Sequence, residues 1–360
     1  LTVTPYLSTD RTRTVETRYR RAYRWGGVEI LGALSDDTIN PDETRYYLDA
    51  TLDARLPADF KLHAEAKIVS DDSYLLNYGY PDEDRLWSGI ELERVREDQM
   101  IWAKIGNTHS LRADESNATQ LMLGASAHWI DVYRPATLGG EATVDWQLNA
   151  ARRASGDSLD LDGDGVADGR DMARFSVVTD WRRNWLLSGG ILASAEAELA
   201  LDAAIVQSDP DFAPDFDRVL TRAQPVLGVE FRWPWMATQG RAAQVVEPVA
   251  QLIWAGKSNQ NFPNEDSLLT EFDEGNLFAL SRFPGGDARE AGARANLGLS
   301  WTRYDAMGWS LGMTAGRVLR AEDLGQFSDG SGLSGTKSDW LIASHLALPS
   351  GFTLSNRALF

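Results

Sequence analysis

An all-β chain, folded as an antiparallel transmembrane β-barrel of the outer-membrane type, is what this sequence predicts on three observations. Apolar and polar residues alternate in about seventeen segments between Leu1 and Phe360. Short and long connections alternate between those segments. Thirteen Trp and ten Tyr occur in a chain that has no apolar run long enough to cross a membrane as a helix.

The alternation has a period of two, which sends successive side chains to opposite faces of a strand. Tyr46, Leu48, Ala50, Leu52 and Ala54 face one way, against Arg45, Asp49, Asp53 and Arg55. Phe60, Leu62, Ala64, Ala66 and Ile68 oppose Lys61, His63, Glu65 and Lys67. Ala142, Val144, Trp146 and Leu148 oppose Glu141, Thr143, Asp145, Gln147 and Asn149. Over 218–233, Val219, Ala223, Leu227, Val229, Phe231 and Trp233 oppose Arg218, Arg222, Gln224, Glu230 and Arg232. No helix is predicted. A soluble β-sandwich alternates in the same way, so the pattern by itself leaves both architectures open.

The connections separate them. Tight turns are read at Trp25-Gly26-Gly27, Pro57-Ala58-Asp59, Glu97-Asp98, Asp305-Ala306-Met307-Gly308 and Pro349-Ser350-Gly351. Longer polar stretches at 35–43, 70–84, 107–117, 152–172, 208–216, 256–289 and 320–335 fall between them. Strands that cross a bilayer give this sorting, with short periplasmic turns and longer outer loops. The polar faces carry both charge signs, as at Arg18, Arg20, Arg24, Glu91, Glu93, Arg222, Glu230 and Arg232. Charge is costly in hydrocarbon, so these faces should line a wet lumen.

Composition agrees. Mean hydropathy is mildly negative, as expected where half of each strand is polar, and the Trp and Tyr suit interfacial girdles. A net charge of −18 excludes nonspecific nucleic-acid binding, which needs cationic surface. With no cysteine there is no disulfide framework. Leu1-Thr2-Val3-Thr4 is not a signal peptide, which predicts a fragment or a processed form. His63, His109, His128 and His345 form no metal cluster, and Ser110 beside His109 lacks a nucleophile-elbow context. No catalytic site is predicted, and the chain is read as a non-enzyme.

The most informative stretch runs from Val246 to Arg294. Val246, Pro248, Ala250, Leu252 and Trp254 share one strand face before it, and Ala293, Ala295, Leu297, Leu299 and Trp301 share one after it. The polar insertion between them is too long for a hairpin turn, and loops of that length carry function or fold back. Phe262, Leu268, Leu269, Phe272, Leu277, Phe278 and Phe283 recur through it, predicting an ordered outer cap packed into or over the lumen. The acidic outer segment Asp71, Asp72, Asp82, Glu83 and Asp84 is read as a solvated face.

The same stretch resembles the signature region of the lipopolysaccharide-assembly protein family LptD. The resemblance rests on Glu247-Pro248, Asn264-Glu265-Asp266-Ser267, Glu271-Phe272-Asp273, Asn276-Leu277-Phe278, Arg282-Phe283 and Gly286-Asp287, then Glu290, Gly292 and Arg294. Leu1-Thr2-Val3-Thr4-Pro5-Tyr6 resembles the family's first barrel strand, and Val69-Ser70-Asp71-Asp72-Ser73-Tyr74 an early outer loop. The resemblance implies insertion of lipopolysaccharide into the outer leaflet of the outer membrane through a luminal path and a lateral gate. It implies a larger barrel whose later strands, and an N-terminal periplasmic jellyroll, lie outside this chain. Implied partners are lipopolysaccharide, outer-membrane lipids, an LptE-like lipoprotein plug and an LptA-type periplasmic bridge through that jellyroll. Pro5 matches the family's gate prolines, and on residue chemistry alone it is equally a strand-end proline. A passive outer-membrane porin is the alternative, and a soluble carbohydrate-binding module a third reading.

No cofactor is expected except a structural calcium. Asp160, Asp162, Asp164 and Asp168 have the alternating carboxylates of a calcium loop, with Asp171 where an EF-hand has its closing Glu. An acidic solvated turn is the competing reading. Isothermal titration should give weak calcium heats with the wild type and none with Asp162→Ala/Asp164→Ala; identical heats in both leave only the acidic turn.

Overall fold

The computed structural model describes residues 1–9, 12–41, 43–80, 83–161, 163, 166–209, 218–257 and 262–360. The strands are β1 (Thr2–Leu7), β2 (Arg13–Tyr23), β3 (Gly26–Asp36), β4 (Arg45–Arg55), β5 (Lys61–Val69) and β6 (Arg85–Val95). Then come β7 (Gln99–Ser110), β8 (Leu121–Tyr133), β9 (Glu141–Arg153), β10 (Asp171–Leu186), β11 (Leu192–Gln207) and β12 (Arg218–Arg232). The last six are β13 (Trp235–Gln239), β14 (Ala242–Ala255), β15 (Gly292–Tyr304), β16 (Ser310–Arg320), β17 (Leu341–Ala347) and β18 (Thr353–Leu359). All eighteen belong to one sheet. The registers follow an antiparallel meander, from β1 against β2 to β17 against β18. After the first hairpin, short and long connections alternate along it.

β12 and β13 are two pieces of one pass. Val226–Arg232 pairs with Val249–Ala255 of β14, and Trp235–Gln239 with Ala242–Val246 of the same strand. Pro234 has no amide hydrogen to give to the ladder, whereas the Trp233 amide still donates to the Pro248 carbonyl at 3.1 Å. Among the described residues the eighteen segments are therefore seventeen passes, in line with the about seventeen read from the alternation.

Many strands present an apolar, exposed face, as at Leu227, Val229, Phe231, Leu252, Trp254, Leu297 and Leu299. Water could not sustain so much contiguous apolar surface, and hydrocarbon can. The other face is polar and takes the in-folded loops. No helix of the described residues is long and apolar enough to cross a membrane.

The chain divides into two compact units, residues 1–131, 144–177 and 202–220 in the first and 132–143, 178–201 and 221–360 in the second. In the first, the connection between β5 and β6 contains a helix that alternation did not predict, α1 (Tyr74–Tyr78). Gly79 closes it at φ +69°, a conformation open to glycine without strain. Tyr74 and Leu75 are buried against Ala33, Tyr47 and Leu86.

Arg45, whose side chain is 2% exposed, holds this loop down. It donates to Asp37 at 2.8 Å, to Asp71 at 2.7 and 2.8 Å, and to Ser73 at 3.1 Å. A hydroxyl chain from Thr14 through Ser35 to Tyr74, at 2.8 Å per step, adds a second tie. The expectation of a solvated acidic face holds for the exposed Asp72 and Asp84 and is corrected for Asp71, which is drawn into an ion pair. Asp71 is an ion-pair partner, Glu83 takes Lys67 at 2.6 Å, and Asp84 takes Arg112; Asp82 lies outside the described residues. An aspartate can leave water here because the guanidinium replaces its hydration.

The Arg45 guanidinium holds the Asp71 carboxyl well below the usual carboxylate range. A depressed pKa stabilises the fold above the unfolded value and loses that contribution only as pH falls through the folded one. The loop should therefore stay protease-resistant down to about pH 4, the ordinary aspartate value, and open only in stronger acid. Arg45→Met leaves the buried Asp37 without a cation and the partly exposed Asp71 without its partner, at a cost of about 3–5 kcal/mol. Cleavage within 70–80 at neutral pH should follow, with the β-sheet circular dichroism unchanged.

Candidate functional site

In the second unit, the segment between β14 and β15 folds onto the polar face of β12, β14, β15 and β16. Residues 258–261 of it lie outside the described residues. The remainder is built from two reciprocal side-chain clasps. Asp266 accepts from the amides of Gly286 and Asp287 at 3.0 and 2.9 Å, while Asp287 accepts from the amides of Glu265 and Asp266 at 2.9 and 3.1 Å. Asn264 accepts from the Ser267 amide at 2.9 Å, and the Ser267 hydroxyl accepts from the Gly285 amide at 3.0 Å. Gly285 is required here, because a Cβ on it would lie 2.1 Å from the Asp266 carboxylate. The second clasp joins Asp273 and Asn276, each side chain accepting from the other's amide at 2.9 and 3.1 Å. Asn276 also donates to the Glu271 carbonyl at 2.6 Å.

These clasps present a turn, Leu277 to Leu280, to the sheet. Gly298 of β15 and Gly316 of β16 are register partners, and together they leave a hollow. A Cβ on Gly316 would stand 2.2 Å from Leu277, and one on Gly298 2.7 Å from the Phe278 ring. Leu277 is fully buried there with Phe272, Val318, Leu333 and Leu341. Phe283 stacks on Phe327 of the next long connection at 4.9 Å between ring centres. From β12, Arg222 donates to the Asp287 and Gly286 carbonyls at 2.5 and 2.6 Å and lies over the Phe262 ring at 4.4 Å. Leu268 and Leu269, expected to pack with the other apolar residues of the segment, are instead exposed.

Beneath the turn sits a buried charge cluster. Glu290 accepts from Arg282 at 2.6 Å and from Arg320 at 3.0 and 3.1 Å, and Arg294 stands 3.6 Å away. All four side chains are at most 4% exposed. Arg282 also donates to the Leu277 carbonyl and to Asn296, both at 2.8 Å. Asn296 donates to Gln251 at 2.6 Å, and Gln251 to the Phe278 carbonyl at 3.0 Å. Arg294 donates to the Leu280 carbonyl.

Burial alone would raise the Glu290 carboxyl, yet the field of Arg282, Arg294 and Arg320 outweighs it and holds the group below its ordinary range. Burial lowers the Arg282 guanidinium, with Glu290 opposing. The segment contributes Arg282 and Glu290 and is neutral within the cluster, whereas the wall contributes Arg294 and Arg320. Glu290 is thus the charge that turns repulsion between segment and wall into attraction.

Of the residues singled out in the sequence, Asn264, Asp266, Ser267, Phe272, Asp273, Asn276, Leu277, Phe278, Arg282, Asp287, Glu290 and Arg294 meet in this one structure. Glu265 and Glu271 enter it through their backbone groups. Missing from the sequence reading were Arg320, Asn296, Gln251 and Arg222 as anchors; the last three were visible only as polar positions on alternating strands, and Arg320, read as the start of the 320–335 connection, is the last residue of β16. Pro5 lies in β1 opposite Val15 of β2, in the other unit. In the acidic loop, Asp160 accepts from the Gly163 amide at 2.6 Å and Asp168 from the Leu161 amide at 3.1 Å. Asp171 accepts from the Arg153 amide at 2.9 Å. Asp162 and Asp164 lie outside the described residues, and among those described no three metal-ligating side chains converge.

Limited proteolysis of the reconstituted protein should spare the bonds between Asn264 and Arg282. Glu290→Gln strands three buried guanidiniums and should expose those bonds, at a cost of about 3–5 kcal/mol. Arg282→Met leaves Glu290 with two arginines and should expose them less. Gly316→Val should have the same direction of effect by filling the Leu277 hollow. Equal cleavage of wild type and Glu290→Gln would show that the cluster does not retain the segment.

Three comparisons bear on identity. No curated protein sequence matches the chain. Among solved structures, Pseudomonas aeruginosa OccK11 (OpdR) aligns over 96% of this chain and 83% of its own at 14% identity and a TM-score of 0.38. Pseudomonas aeruginosa OccK8 (OprE) aligns over 97% and 88% at 10% identity and the same TM-score of 0.38. These likenesses are too low to bear on function. The family model LptD, LPS transport system D, matches residues 43–360, from the start of β4 to the end of the chain and across the whole in-folded segment. The chain therefore belongs to the LptD family of lipopolysaccharide transport, and its antiparallel strands are barrel wall of the outer-membrane type.

Proposed function

We propose that this chain is the wall of a translocon that inserts lipopolysaccharide into the outer leaflet of the outer membrane, through a luminal path and a seam at β1. The observation that carries the reading is the LptD family match over residues 43–360. The cargo sets the physical problem. Its acyl chains cannot stay in a wet lumen, and its sugars cannot cross hydrocarbon without a heavy desolvation cost. A wall that parts sideways satisfies both. The protein is a transporter rather than an enzyme, at the cell outer membrane. An LptE-like lipoprotein fills the lumen, and an LptA-type bridge delivers lipopolysaccharide from the periplasm through a jellyroll domain.

β1 suits the seam. It has six residues against eleven in β2, and Pro5 removes one ladder donor. A ladder hydrogen bond contributes about 0.5–1.5 kcal/mol net in water, and more in a bilayer, where an opened backbone finds no water. In the full-length protein, Pro5→Ala should tighten the seam and lower surface lipopolysaccharide at normal barrel abundance, with increased sensitivity to detergent. Normal export at normal abundance would reduce Pro5 to a strand-end residue.

A further inference from the structure

We propose that the outward face of β10 and β11 is a binding site for an anionic phospholipid of the inner leaflet. Arg183 holds the phosphate, and a trough over Ala195 and Ala197 takes an acyl chain. The site depends on the barrel wall alone and not on what the barrel carries.

Arg183 alternates in step with Phe175 and Trp185, which are 46% and 36% exposed, and out of step with the buried Arg174, Ser176 and Val178. It therefore lies on the apolar outward face, near the short turn that ends β10. Arg182 takes the opposite face and pairs with Glu196 of β11 at 3.2 Å. A guanidinium on the lipid side is costly in hydrocarbon and tolerated at the boundary, where headgroups begin. Two contacts fix Arg183 there. It donates to the Leu138 carbonyl at 2.5 Å and lies over the Trp185 ring at 5.2 Å. Neither contact supplies a negative charge. Among the described residues the outward faces of β10, β11 and β12 carry one carboxylate, Asp171, at the far end of β10. In the neighbouring turn Glu141 is matched by Arg134 at 3.4 Å. The Arg183 charge is left to meet an anion from the bilayer.

Register sets the trough. At the turn the Leu187 amide donates to the Ile191 carbonyl at 2.8 Å. Counting back along the antiparallel pair puts Arg183 beside Ala195 and Trp181 beside Ala197, in agreement with the Arg182–Glu196 pair on the other face. The small side chains of β11 thus lie between Trp181 on one side and Leu227 and Val229 of β12 on the other. They floor one end of an open apolar groove of about 720 Å³. The Trp181 indole is held by its donation to the Gly139 carbonyl at 2.9 Å. Arg183 stands at the short-turn end of the groove, and Trp181 and Ala197 lie one pair further into the bilayer. A phosphate on the guanidinium therefore directs its acyl chain along the groove toward the bilayer centre. Short turns are periplasmic, so the headgroup belongs to the inner leaflet. The planar guanidinium suits a phosphate, and the tryptophans suit the headgroup level. A lipid of net negative charge answers a cation that has no carboxylate beside it.

The test uses the full-length protein in phosphatidylcholine nanodiscs doped with phosphatidylglycerol or with a diacylglycerol of the same chains. A photoreactive p-benzoylphenylalanine replaces Val229 on the rim of the groove or, as a control on the outward face, Leu299. The phosphatidylglycerol adduct at Val229 should fall about tenfold in Arg183→Gln, the factor carried by one charge-assisted hydrogen bond. It should stay near wild type in Arg183→Lys, and fall in Ala197→Leu, which fills the groove and leaves the arginine. The Leu299 adduct should not respond to Arg183. Native mass spectrometry of the protein without the photoreactive residue gives a second reading, with phosphatidylglycerol retained by the wild type and lost from Arg183→Gln. Capture and retention indifferent to Arg183 would overturn the site, as would equal capture of phosphatidylglycerol and diacylglycerol. Preferential capture of lipopolysaccharide when it is offered together with phosphatidylglycerol would overturn the assignment to an inner-leaflet phospholipid.

Discussion

One buried carboxylate governs the second unit. Glu290 faces three guanidiniums in a site closed to water, where the attraction between opposite charges is strong and the cost of an unpaired one is stronger still. Without it, Arg282 of the in-folded segment would confront Arg294 and Arg320 of the wall. The clasps of Asp266 with Asp287 and of Asp273 with Asn276 shape the segment, and the glycine hollow admits Leu277. Shape and fit, however, bring like charges together, and only the carboxylate makes that approach favourable.

The first unit solves a similar problem with the signs reversed. There a single buried cation, Arg45, gathers Asp37 and Asp71 and draws the 70–80 loop onto the polar face. In both places a connection is long enough to turn back, carries aromatic residues that pack, and is tied down by an ion pair to a buried arginine. Such pairs add modestly to net stability, because desolvation consumes much of the attraction. What they supply is one arrangement in which every charge is matched, so the loop has a single favourable seat.

The edge of the sheet behaves differently. β1 is short, carries a proline, and is tied to the in-folded loop through the Glu16 carboxylate that Tyr6 and Tyr80 share. Charge-matched loops elsewhere contrast with this short first strand, where Pro5 removes a ladder donor.

Much of this was legible in the residues. Strand period, the sorting of short turns from long connections and the apolar outward face follow from alternation, because a strand's two faces are written directly into its neighbours. The alternation from Val219 to Trp233 was read correctly as far as Pro234, beyond which Trp235–Gln239 continues the same pass. The signature stretch was recognised as ordered because its aromatics recur. Tertiary structure alone decided the rest. That Asp71 is an ion-pair partner rather than a freely solvated carboxylate depends on Arg45, 26 residues earlier. That Gly298 and Gly316 form a seat depends on their register, and that Arg320 belongs with Glu290 depends on two loops folding back to the same spot. Local sequence specifies which face a side chain takes, through backbone geometry; which distant charge it meets there is set only when strands pair and loops return, because electrostatic partners are chosen by distance in space.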